Sequence, residues 1–362
     1  MMRVPKPSYL RSRLLRPQKA DAAQYRVLER VAKLYRLGEI QACHRAPRSN
    51  SLNFILAAST SSYVVRRQNL SKEAVAYEQQ ILEHLRRKAF PAPRMVLNQQ
   101  GLAWAEIDGM LYSVYEFITG YSPSDFYWWP STRRKVIACC GRALAGYHQA
   151  TNDLTPTGFK WNGYRPGGKE RWRQGDWFRE TLHEIRPLLQ KPTFTRPIDD
   201  FTRARIDALA QMLELEEMVE ARTDLSKVVI HGDYAPWNVL FCPGRPPLIL
   251  DFNESRLELK IYDIMLATFW FAWNGSRLNP GRVLALQAGY CETGRLSQAD
   301  IDLAGTVFQW VMARSLVERL HLYYLEKPLE TAHIGRPEIQ FQMCLFAGQQ
   351  PRQLVAGLKG NP

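Results

Sequence analysis

Between Val228 and Asn253 three short apolar runs alternate with polar loops in a way that leaves few folds open. Val228-Val229-Ile230 leads into His231-Gly232-Asp233-Tyr234-Ala235-Pro236-Trp237-Asn238; Val239-Leu240-Phe241 and Leu248-Ile249-Leu250 follow, and the last run ends on Asp251. Runs this short are strands rather than helices, and the second and third read as a hairpin. The pattern therefore gathers Asp233, Asn238 and Asp251 around one small hairpin. Magnesium takes hard oxygen ligands from one or two carboxylates and completes its shell with phosphates and water, which this trio can provide. Taken singly, Asp233 or Asn238 reads equally well as a turn residue. Zinc is disfavoured, because His231 and Asp233 have no third soft ligand nearby.

With 362 residues there is room for two domains, and the character of the chain changes near residue 118. In the stretch 22–118 we expect a helix over Ala22–Arg36, strands at Asn53–Ala58 and Tyr63–Arg67, a helix from the N-cap Ser71 to about Arg87, and strands at Leu102–Ile107 and Leu111–Ile118. Asp108-Gly109 joins the last two as a hairpin turn. From 119 to 362 helices dominate, beginning with Thr132–Thr151, and the hairpin around the trio is embedded among them. The expected class is α+β: an antiparallel sheet carrying one inserted helix, then a larger, mainly helical lobe. Residues 1–21 form a basic arm, with six basic and no acidic side chains in the first twenty. Pro5, Pro7 and Pro17 break the amphipathic helix a targeting peptide needs and interrupt any secretory core.

A formal net charge of +13 attracts anions, whether nucleotides, phosphorylated compounds or nucleic acid. There is no zinc-finger spacing, ribonucleoprotein-type aromatic motif or heptad pattern to make a nucleic-acid module, so nucleic acid is the weaker expectation. The six cysteines show no C-x-x-C spacing, which suits a reducing, cytoplasmic setting. The longest strongly apolar stretch, Ile264–Trp273, is half the roughly 20 residues that a membrane span requires and reads as a buried helix.

The His-x-Asp-x-x-x-x-Asn spacing of residues 231–238 matches the catalytic loop of kinases, and the H-G-D block with the hairpin Asp resembles the aminoglycoside phosphotransferase, choline kinase and type II homoserine kinase superfamily. The resemblance extends over roughly residues 40 to 320. It implies a bilobed, protein-kinase-like fold that uses ATP and Mg2+ to phosphorylate a hydroxyl of a small molecule. By the same resemblance Asp233 is the catalytic base, Asn238 and Asp251 hold magnesium, and Asp263 steadies the site, although a plain N-cap is as good a reading of Asp263.

On the helix from Ser71, Glu78 lies three and four residues from Ala74, Val75, Ile81 and Leu82, so it occupies the apolar face and needs a partner. Kinases pair such a Glu with a basic residue on the preceding strand that grips the α- and β-phosphates. The matching residue here is Arg66, where Lys is usual, and a planar guanidinium holds phosphate differently from an ammonium. Ser49, Asn50 and Ser51 are the expected phosphate-covering loop, which lacks glycine, and Glu116 to Ile118 the hinge that meets the adenine edge. His231 is expected to brace the loop and His148 to be a core histidine. The aromatics Tyr121, Phe126, Tyr127, Trp128, Trp129, Trp161, Trp172 and Trp177 either line a substrate pocket or pack helices. A basic chain argues against polycationic aminoglycosides and for a neutral or anionic hydroxyl compound. The departures at Arg66 and in the loop keep open a second reading, a kinase-like structural or binding protein without turnover.

Overall fold

The computed structural model describes residues 20–46, 52–123, 130–155, 175–220, 222–274 and 277–326, with 339, 342, 343, 345, 354, 355, 357 and 358. Ser49, Asn50 and Ser51 lie outside the described residues, as do Phe126, Tyr127, Trp128, Trp129, Trp161 and Trp172.

Helix α1 (Ala22–Leu34) starts at Asp21, whose carboxylate accepts from the Gln24 amide at 2.8 Å in a capping box. The strands β1 (Ile40–Arg45), β2 (Asn53–Ala58), β3 (Ser62–Gln68), β4 (Met95–Val96), β5 (Ala105–Ile107) and β6 (Met110–Glu116) form one antiparallel sheet in the order β1-β2-β3-β6-β4, with β5 on β6. Alternation gives each face its task. Phe54, Leu56 and Val65 bury one face against Leu28 and Val31 of α1. The other face carries Arg66, opposite Asn53 on β2 and Ser113 on β6. Asp108 and Gly109 both adopt left-handed φ, 53° and 73°, as a two-residue hairpin turn between β5 and β6 requires.

Helix α2 (Lys72–Arg87) is capped by the Ser71 hydroxyl, which accepts from the Ala74 amide, and has Glu73 in its first turn. Its inner face, Tyr77, Ile81 and Leu85, packs into the larger hydrophobic core formed with the helices that follow. These are α3 (Pro130–Ala150), α4 (Gly175–Leu188), α5 (Pro197–Glu220), α6 (Lys260–Ala272), α7 (Pro280–Cys291) and α8 (Gln298–His321). Two small antiparallel pairs lie among them: β7 (Lys227–Ile230) with β10 (Arg256–Leu259), and β8 (Val239–Leu240) with β9 (Leu248–Ile249).

The α+β class and the sheet-then-helices order match the expectation, with local differences. The strand expected over Leu102–Ile107 is confined to Ala105–Ile107, and the one expected to reach Ile118 ends at Glu116. β1 and β10 were not anticipated. Each mixes charged with apolar residues and is a strand because a neighbour supplies its hydrogen bonds, not because its own pattern demands it. Among the described residues no helix is long and apolar enough to cross a membrane.

Helices α3 and α7 meet backbone to backbone. A Cβ on Gly289 would strike the Ala138 backbone, and one on Gly141 would strike the Leu286 carbonyl. Gly289→Ala should therefore push the helices apart and cost about 1–3 kcal/mol, the usual price of overpacking. Urea unfolding checks this, and an unchanged midpoint would show that the pair separates freely.

Candidate active site

The site is built on the turn after β7. Gly232 has φ +81°, and a Cβ there would strike the Glu254 carbonyl and the Arg256 guanidinium, so only glycine lets the chain turn between His231 and Asp233. The amides of His231 and Gly232 donate to Oδ2 and Oδ1 of Asp263 at 2.8 and 3.1 Å. Asp263 stands in the first turn of α6, whose N-cap is Leu259, so of the two readings of Asp263 the geometry supports the steadying one and not the cap. It is fully buried. Burial alone would raise its pKa, but hydrogen bonding and charge from His148, then His231 and its amide, outweigh that and hold it below the usual carboxylate range. His148 is buried, with Nε2 3.1 Å from Asp263 and Nδ1 2.9 Å from the Tyr290 hydroxyl, in keeping with a core histidine.

His231 braces the loop from inside. Its Nε2 lies 2.8 Å from the Leu250 carbonyl, and its Nδ1 accepts from the Asp233 amide at 3.3 Å. Burial lowers its pKa, which suits a neutral structural imidazole. The short 3₁₀ turn Pro236–Asn238 then carries Asn238 back to Asp233: its Nδ2 donates to the Asp233 carbonyl at 2.8 Å and to Oδ2 at 3.0 Å. With both amide protons used in this way, Oδ1 of Asn238 remains as a hard donor. Asp251 ends the hairpin with φ +66°, a left-handed conformation that a non-glycine residue holds only under constraint from its surroundings.

Asn238 and Asp251 line a cavity of about 300 Å3 together with Asn53, Val64, Arg66, Glu78, Tyr115, Glu116, Ile118 and Leu240. Of the residues singled out from the sequence, the fold thus brings Arg66, Glu78, Glu116, Ile118, Asn238 and Asp251 to one cleft, with Asp233 at its edge through Asn238. A larger open cleft of about 1260 Å3 shares Glu116, Phe117 and Ile118 with it and is also lined by Arg86, Arg94 and Arg245. It includes neither Asn238 nor Asp251.

The Arg66–Glu78 pair, expected for a nucleotide-bound state, is not seen here; Nη1 of Arg66 donates to Oδ1 of Asp251 at 2.8 Å. A guanidinium on β3 is long enough to pass the helix carboxylate and reach the partly exposed Asp251 across the cleft. Burial opposes the charge on Arg66, but Asp251 foremost, with Tyr115 and Glu78, raises its pKa. Glu78 is buried, and its Oε2 has no hydrogen-bond partner among the described residues. Burial pushes its pKa up to about 7, against the pull of the nearby Arg66 charge. Of the supports beside the loop, Asp263 was singled out from the sequence through the family resemblance, whereas nothing in the sequence marked Arg256.

The cleft suits a metal that arrives with its ligand. Among the described residues no group of three or more His, Cys, Asp or Glu could hold an ion alone. Asn238 Oδ1 and the Asp251 carboxylate are hard donors that suit a magnesium ion sharing its shell with phosphates.

Residues 15–297 match the phosphotransferase enzyme family, and the chain belongs to that family. It is 24% identical over 298 residues to the homoserine kinase of Bradyrhizobium sp. (strain ORS 278), covering 80% of this chain and 82% of that one. Among solved structures it resembles an amicoumacin kinase in complex with AMP-PNP, Ca2+ and Ami, at a TM-score of 0.63 and 16% identity, covering 91% and 94% of the two chains. It also resembles the Plasmodium vivax ethanolamine kinase, at a TM-score of 0.61 and 12% identity, covering 90% and 89%. These two likenesses establish the protein-kinase-like fold.

The raised Glu78 pKa has a sign that can be measured. Its folded value, about 7, lies above the ordinary 4.5, so the folded state binds the proton more tightly. The stabilisation is whole below pH 4.5 and is lost as pH rises through about 7, a change on the order of 3 kcal/mol at about 1.4 kcal/mol per unit. Stability of the nucleotide-free protein should fall across that window, and Glu78→Gln should flatten the fall. An unchanged slope in the variant would place the titrating group elsewhere.

Proposed function

We propose that this phosphotransferase family member is a kinase that uses ATP with magnesium to phosphorylate the hydroxyl of a small amino alcohol of the homoserine type. The observation that carries the reading is the joining of Asp233 to Asn238, and of Asn238 to Asp251 across one cavity, by a loop whose backbone is fixed from beneath. Residues up to 118 would hold the nucleotide, and those from 119 onward would supply the catalytic loop and the acceptor site. The curated relative acts on homoserine, and one structural neighbour on ethanolamine. A net-neutral amino alcohol also agrees with a basic chain better than a polycation does. The free cysteines at 43, 139, 140, 242 and 291 agree with a cytoplasmic setting.

In this reading the backbone at Glu116 to Ile118 borders the adenine, and Val64 and Leu240 cover its faces. Arg66 leaves Asp251 and turns to the phosphates and to Glu78, whose unsatisfied Oε2 then gains its partner. Asn238 Oδ1 and Asp251 would hold the magnesium, which when bound would neutralise charge on the transferring phosphoryl group. Asp233 orients the acceptor hydroxyl and takes its proton as the oxygen attacks the γ-phosphorus in line, the bond to the β–γ bridging oxygen breaks and ADP leaves. Asn238, donating to Oδ2 of Asp233, keeps that carboxylate aimed.

Labelled ATP offered with L-homoserine, ethanolamine, 1-amino-2-propanol and a small-metabolite extract tests the proposal. Wild-type protein should label an acceptor. Asp233→Asn should lower turnover on it by at least about a hundredfold, within the usual 10²- to 10⁴-fold general-base contribution, with ATP affinity nearly unchanged. A variant with wild-type turnover would remove Asp233 from catalysis, and an absence of any labelled product would favour the non-enzymatic reading.

A further inference from the structure

The loop from His231 to Asn238 is buried apart from Asp233, which is half-buried, and Trp237. Pro236 and Asn238 are buried, yet Trp237 between them is 53% exposed. An exposed Leu on a surface needs no explanation, but a half-exposed Trp between two site residues is informative. Its direction follows from the turn that carries it. In a 3₁₀ turn successive side chains point about a third of a turn apart. Asn238 is turned inward to Asp233, so Trp237 is directed to the rim and not into the metal-binding corner. The nucleotide cavity is consistent with this, since Asn238 lines it and Trp237 does not.

The indole is held in place. Its ring meets that of Trp270 edge to face, with centroids 4.8 Å apart and planes at 71°, an arrangement aromatic pairs favour. Trp270 is in turn packed edge to face on the buried Phe269, at 4.8 Å. Trp270 follows Asp263 on α6 by seven residues, two helical turns, and so stands on the same face. One face of α6 thus fixes both ends of the loop, Asp263 at the Gly232 amide and Trp270 at the Trp237 ring. On another side the Ser122 hydroxyl donates to the Pro236 carbonyl at 3.1 Å. A side chain braced this firmly while half its surface faces water contributes little to the core, and its rigidity suits it to receive a ligand.

We propose that Trp237, braced by Trp270, is a specificity-determining wall of the acceptor site, stacking its indole face on the carbon skeleton and ammonium group of the amino alcohol whose hydroxyl Asp233 receives. This rests on the kinase reading above. A π-face next to the reacting hydroxyl favours acceptors with C–H surface or a positive charge there, and Trp is the strongest of the side chains for the latter. It offers nothing to an acceptor that is anionic at that point.

The test compares wild type, Trp237→Ala and Trp237→Phe on the acceptor that wild type labels best among L-homoserine, ethanolamine, 1-amino-2-propanol and the extract. Trp237→Ala should raise KM for the acceptor about tenfold with little change in KM for ATP, and Trp237→Phe should recover most of the loss. Removing the amino group, as in 4-hydroxybutyrate compared with L-homoserine, should cost wild type more than it costs Trp237→Ala. An unchanged acceptor KM in Trp237→Ala overturns the proposal and leaves the kinase reading standing. An equal rise in the KM for ATP also overturns it, since the indole would then only brace the loop. If wild type labels no acceptor at all, the kinase reading fails and this proposal fails with it.

Discussion

The arrangement of the site rests on one buried carboxylate. Asp263 has no contact with solvent, and a charge so placed is tolerated only when nearly every lone pair is used. Two are taken by the amides of His231 and Gly232 and another by His148, which reaches on to Tyr290. The consequence runs outward. α3 supplies His148, α7 supplies Tyr290, and the glycine contact between those helices lets them stand close enough to do so. Gly232, fixed by its amide and unable to accept a side chain, sets the direction in which Asp233 leaves the turn. The loop is therefore held by polar bonds from beneath as well as by the packing of its own side chains, Tyr234 on Phe271 and Trp237 on Trp270.

That order of dependence explains what could be read from the sequence. The trio Asp233, Asn238 and Asp251 was legible because its spacing is local and its flanking strands are apolar. Glu78 was legible because a carboxylate on the apolar face of a capped helix has to be explained. The hairpin turn at Asp108-Gly109 was legible because few residue pairs accept two left-handed φ angles. What escaped was what depends on distant partners. β10 exists through β7, and the exposure of Trp237 follows from a turn that points its neighbour inward. The partner of Arg66 escaped for a related reason, since side-chain reach decides between two carboxylates that sequence spacing treats alike.

The Arg66–Asp251 contact gives the cleft its character. One guanidinium spans from β3 to the end of β9 and ties the sheet to the β8–β9 hairpin, while Oε2 of the buried Glu78 has no hydrogen-bond partner among the described residues. In the proposed ATP-bound state Asp251 would exchange this arginine for a phosphate-bound magnesium ion, and Arg66 would then serve the phosphates. Both carboxylates would be better satisfied in that state, because Glu78 would gain a cation and Asp251 would keep one.

Calorimetric titration of AMP-PNP, with and without magnesium, into wild-type protein and Asp251→Ala tests this most directly. The affinity of the wild type should depend clearly on magnesium, and the variant should lose that dependence. Equal affinity with and without magnesium in wild type would contradict it.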